Sequence, residues 1–150
     1  MATVPSVGST SPPYRVHWHV LITHFPLSFY VAAFGFQILH LFKNPECYQA
    51  ATDISLVAGT VVMMPTLWSG WLTWKKEYHG AHAQVFQRKI VIAFLMQALS
   101  IALVVWRLTF TSIFDNTNVG MAHWVYLAGN ILLMAGASAE GYYGGRLNHR

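Results

Sequence analysis

Four long stretches of the chain are apolar at most positions, and short polar stretches separate them. They cover 16–42, 49–74, 88–111 and 120–143. Each exceeds the ~20 residues that an α-helix needs to cross a hydrocarbon core of ~30 Å. The pattern predicts an all-α protein, an integral membrane four-helix bundle over 16–143. Lys43-Asn44-Pro45-Glu46 should end the first helix, because proline lacks an N–H and disfavours helix in the residue before it. The stretch 75–87 holds Lys75, Lys76, Glu77, His79 and His82 and reads as a loop or surface helix. Phe114-Asp115-Asn116-Thr117-Asn118 makes the next turn. Pro65 should kink the second helix, with Thr66 or Ser69 relieving the disturbed backbone.

Composition fits this picture. Of 150 residues, 55% are hydrophobic and 9% charged, against roughly 25% charged in a soluble domain. Four spans leave no room for a sizeable soluble domain. Residues 1–15, rich in Ser, Thr, Pro and Gly and without a basic n-region, read as a retained flexible tail, and 144–150 as a C-terminal tail. The net charge of +4 does not point to nucleic acid, because the basic residues lie between apolar runs rather than on one polar surface.

Their distribution sets an orientation. Arg15, Lys75, Lys76, Arg88, Lys89, Arg146 and Arg150 fall on the side of the two termini, while only Lys43 and Arg107 fall near the other. The positive-inside rule then puts both ends in the cytoplasm of a multi-pass protein of the bacterial inner membrane. The six tryptophans, at 18, 68, 71, 74, 106 and 124, all lie near expected helix ends, as interfacial belts require.

Polar residues inside the runs recur at helical spacing. The second run shows Thr52, Ser55, Gly59, Thr66, Ser69 and Thr73, and the third shows Gln97, Ser100, Arg107 and Thr111. In the fourth, Gly129 recurs with Gly136, and His123 with Asn130 and Ala137. Such stripes face protein rather than lipid, and close packing accounts for the small residues. Gln97 and Arg107 demand partners.

Eight histidines are the unusual feature. His17, His19 and His24 open the first helix, His40 closes it, His79 and His82 lie in the 75–87 stretch, His123 begins the fourth helix and His149 lies in the tail. Neutral imidazoles on two facing helices are the usual ligands of b-type haem iron. His40 and His123 share a depth, with Arg107 near enough to pair with a propionate. They are candidates for an outer haem b site, and His24 with His82 for an inner one. Along a helix, His24 and His40 are about 24 Å apart and point to nearly opposite faces. The same residues can serve packing alone, and His17-x-His19 with His79-x-x-His82 offers nitrogens for a non-haem metal. Cys47, the single cysteine, excludes a Cys-x-x-Cys clip and covalent haem. No Gly-x-Ser-x-Gly elbow or phosphate-cradling glycine loop occurs, and Glu77 with Glu140 forms no evident acid/base pair. Glu140 is expected to pair with Arg146 or to carry protons.

His19-Val20-Leu21-Ile22-Thr23-His24-Phe25-Pro26 resembles the opening of a family of small four-span bacterial membrane proteins of unassigned function, marked by a His-Phe-Pro element in helix one. Trp68-Ser69-Gly70-Trp71-Leu72-Thr73-Trp74 and Gly141-Tyr142-Tyr143-Gly144-Gly145-Arg146-Leu147 resemble its later segments. Some members are joined to Rieske-type iron–sulfur domains, so the resemblance implies a redox setting. It also implies a role for His24. A histidine early in helix three, frequent in the family, is missing at Arg88-Lys89-Ile90-Val91.

The expected function is therefore a non-catalytic, haem b-binding electron-transfer subunit of a larger redox complex. It would exchange electrons with quinone near the cytoplasmic histidines. The alternatives are a structural or docking subunit without cofactor in a respiratory or photosynthetic complex, and a pigment-binding subunit.

Overall fold

The computed structural model describes residues 18–43, 46–77, 84–110 and 120–148. These form four helices: α1 (Trp18–Lys43), α2 (Glu46–Glu77), α3 (Gln84–Thr109) and α4 (Met121–Asn148). Ile22–Lys43, Glu46–Lys76 and Phe86–Thr109 are each long and apolar enough to cross a membrane. α4 is as long, at 28 residues, but His123, Asn130, Glu140 and several glycines dilute its apolar run.

The helices overrun the apolar stretches that announced them. Lys75, Lys76 and Glu77 belong to α2 and 84–87 to α3, so much of the expected 75–87 loop is helix. The expected tail at 144–150 is likewise helical as far as Asn148. Hydropathy marks where lipid-compatible side chains stop, whereas Lys, Glu and Gln are good helix formers that carry the backbone onward. The expected turn at 114–118 lies outside the described residues.

α2 stays helical through Pro65. The ring removes the N–H that would bond the Val61 carbonyl. Around it the Thr66 hydroxyl donates to Val62 O at 2.8 Å and Ser69 to Thr66 O at 2.9 Å. Both hydroxyls named from sequence are thus turned onto their own helix, beside the proline.

Each helix packs on two others, α1 on α2, α2 on α3, α3 on α4 and α4 on α1, and across the diagonal the Tyr126 side chain of α4 reaches Asp53 of α2. Cross-helix pairs fix an antiparallel register, with Gly59 against Tyr30, Gly129 against Leu103 and Gly136 against Met96. Two ends result. His40, Asp53, Arg107 and His123 lie at one, Glu140 and Lys89 at the other.

The interior is polar and the exterior apolar. Gln37, Thr52, Ser55, Thr60, Gln97, Ser100, His123 and Asn130 are buried among Tyr30, Leu56, Met96, Tyr126 and Leu133. Phe25, Val31, Ile54, Val61, Leu95, Val105, Trp124 and Leu132 face outward. The stripes at Thr52, Ser55, Gly59 and Thr66, at Gln97 and Ser100, and at His123, Asn130 and Ala137 all turn inward. An exterior of this kind is compatible with lipid contact.

Candidate functional site

Two polar clusters lie side by side near the end formed by Lys43 and Met121. The first is the seam between α1 and α4. Gln37 and His40 are three residues apart, and His123 and Asn130 seven apart, so each pair shares one helix face. The Gln37 amide donates from Nε2 to the main-chain oxygen of His123 at 3.2 Å. Asn130 Nδ2 donates to Gln37 Oε1 and to Tyr126 O. The rings of His40 and His123 lie 5.8 Å apart between centroids with 23° between their planes, and their residues are 7% and 2% exposed.

The second cluster joins α2, α3 and α4. Asp53 is its hub. Its Oδ2 accepts from Arg107 Nε at 2.9 Å, and its Oδ1 accepts from Tyr126 OH at 3.2 Å and Gln49 Nε2 at 3.1 Å. Trp106 sets its ring edge-on to Tyr126, 6.4 Å between centroids. Asp53, Leu56, Val57, Val104, Arg107, Leu108 and Tyr126 line a cavity of about 110 Å³. Tyr126 links the clusters, its hydroxyl in one and its carbonyl in the other.

The structure therefore brings His40 and His123 together, as their depth suggested. Arg107 is held by Asp53 instead of standing ready for a propionate. An ion pair between neighbouring helices neutralises a guanidinium that lipid would not tolerate alone. His24 is exposed on the far side of α1 from His40, and its carbonyl accepts from Ser28 at 2.8 Å. His17, His79, His82 and His149 lie outside the described residues, as does the side chain of His19. Glu140 pairs with Lys89 of α3 at 3.5 Å; the side chain of Arg146, the partner expected from sequence, lies outside the described residues.

Sequence reasoning passed over Asp53, Gln37 and Tyr126 as site residues. Asp53 carried a signal, being an acid within an apolar run at a depth near that of Arg107. Gln37 carried a weaker one, a single amide on an otherwise apolar stretch.

The seam can be tested against haem b. Two buried imidazoles from facing helices are the right donors, and their centroid separation is close to the ~6 Å expected of two rings on one metal with bonds of ~2 Å. Two further observations run the other way. The Gly120 N–H donates to His123 Nδ1 at 3.3 Å, so the proton of the neutral ring sits on Nε2, the nitrogen that would bind iron. Metal-binding histidines usually donate from the second nitrogen instead. Gln37 also spans directly from α1 to the α4 backbone at His123, a bond that a flat macrocycle between the two helices would have to displace. As packed, the seam does not fit haem. Among the described residues, no three His, Cys, Asp or Glu side chains converge as a metal site.

No family model, curated protein or solved structure matches the chain. The likeness to the His-Phe-Pro family therefore rests on the short motifs quoted above.

Proposed function

We propose that this chain is a structural, non-catalytic subunit of a larger membrane assembly, a four-span bundle of the bacterial inner membrane with both ends in the cytoplasm. The observation that carries this reading is the inside-out distribution of polarity. Buried amides, the Tyr126 hydroxyl and the Asp53–Arg107 pair bond helix to helix and the His40 and His123 rings pack on one another, while large apolar side chains cover the outside. In lipid such bonds hold helices together where the hydrophobic effect cannot. The seven-to-two split of basic residues supports the orientation. α4 joins as the fourth span because it is long enough, packs on both α1 and α3, and turns His123, Asn130 and Glu140 inward.

The test is assembly size. Extracted from its native membrane in mild detergent, the chain should migrate in a complex far above its own 16.8 kDa. Migration as a single chain would overturn the reading.

The electron-transfer reading keeps one observation in its favour, the buried pairing of His40 and His123. Haem there would require α1 and α4 to separate, breaking the bonds of Gln37 to His123 and Asn130. The resemblance to a family sometimes joined to iron–sulfur domains favours a redox complex as the assembly concerned.

A further inference from the structure

The last turns of α2 carry an aromatic ledge with a cation folded onto it. Trp68, Trp71 and Lys75 are spaced three and four residues apart, so they share one face of the helix, and all three are exposed. The two indoles meet edge to face at 6.4 Å between centroids. Lys75 Nζ lies 4.9 Å from the centre of the Trp71 ring. A lysine at the end of a span ordinarily extends its stem toward water and carries its charge away from the hydrocarbon. Lys75 does the opposite. Its ammonium turns back onto a residue four positions nearer the bilayer centre, about 6 Å by helix rise. Indoles of this kind mark the level of the lipid headgroups.

We propose that this ledge binds one anionic phospholipid, its phosphate on the Lys75 ammonium and its glycerol and upper chains against Trp68 and Trp71. The proposal rests on the membrane placement given above but not on which end faces the cytoplasm.

Charge selects the head. Lys75 and Lys76 stand beside a single acid, Glu77, in this stretch, and Glu140, the other carboxylate at this end among the described residues, pairs with Lys89. One net positive charge is left over. A choline head would bring a second cation to a ring that Lys75 already occupies, whereas a net-negative head meets only attraction. Apolar contact selects a lipid over a soluble anion. Trp68 and Trp71 are 64% and 50% exposed, and Met64 and Leu72 are exposed nearby. Acyl chains gain a wall there that free phosphate cannot use.

Trp71 lies in the site and bromine quenches indole fluorescence, so brominated lipids read occupancy directly. The full chain is placed in vesicles of brominated phosphatidylglycerol with plain phosphatidylcholine, and in the mirror mixture. The Trp71 component is the difference between wild type and Trp71→Phe. Circular dichroism shows that each variant stays helical. Phosphatidylglycerol should be preferred over phosphatidylcholine beside Trp71 by about fivefold, the weight of one basic residue near an anionic lipid. Lys75→Gln should bring the two lipids to parity, and added salt should weaken the preference in wild type. Equal quenching by both lipids in wild type would overturn the proposal and leave the membrane placement standing. A preference that Lys75→Gln leaves unchanged would overturn it too, by moving the selectivity to other basic residues. Loss of the preference on adding inorganic phosphate at constant ionic strength would overturn it in favour of a soluble anion. Absence of quenching by either lipid would remove the membrane placement and the proposal with it.

Discussion

At the scale of single residues, the seam between α1 and α4 is a set of mutual obligations. Gln37 accepts from Asn130 and donates to His123, so removing one amide strands another in a buried site. Asn130→Leu is expected to lower unfolding stability by about 1 kcal/mol, the scale of interhelical bonds in membranes. Gln37→Leu with Asn130→Leu should cost less than the two single changes added together, because the double variant leaves no orphaned partner. A double-mutant cycle on unfolding in mixed detergent measures this, and strict additivity would show that the two amides do not act as a unit. The same obligations explain why residue-level reading from sequence was uneven. His40 and His123 were legible as a pair, because equal depth on two helices is a matter of counting. The proton position on His123 was not legible, since it depends on the Gly120 N–H, which lies three residues away along the chain and meets the ring only after α4 has started.

At the scale of elements, glycine sets how closely the helices approach. A Cβ on Gly59 would lie 2.8 Å from Tyr30 Cε1, and one on Gly136 would lie 2.7 Å from Met96 Sδ and Cγ. The distances are alike but the neighbours are not. The Tyr30 ring is fully buried and cannot bend, whereas an unbranched thioether has three rotatable bonds. Gly59→Ala should therefore destabilise the bundle by about 1–3 kcal/mol, and Gly136→Ala by clearly less. Thermal unfolding of the two variants tests the order, and equal losses would contradict it. Inward stripes on α2, α3 and α4 were readable from spacing alone, because period-3.6 recurrence places residues on one face whatever they touch. Helix ends were not. Apolarity reports the reach of lipid, and Lys75 through Glu77 and Gly144 through Asn148 continue as helix beyond it. The Asp53–Arg107 bond was half visible. Arg107 announced that it needed a partner, but the choice of Asp53 over a ligand depends on the register of α2 against α3, which sequence spacing does not specify.

At the scale of the whole molecule, the bundle is a closed ring of four antiparallel helices with its polar groups inside. Cys47 is exposed at the start of α2, so it reports on topology directly. A membrane-impermeant thiol reagent should label it from the periplasmic side of intact cells, and labelling only after the inner face is exposed would reverse the orientation. The central claim is that His40 and His123 pack ring to ring between α1 and α4, in a seam whose hydrogen bonds are made by Gln37. The most direct test is the visible absorption spectrum of the purified, folded chain, recorded oxidised and reduced, for wild type and for His40→Ala. The account predicts no Soret band in either protein, with His40→Ala differing only in a lower unfolding temperature. A Soret band in the wild type that His40→Ala abolishes would contradict it and would show that the seam opens to hold haem.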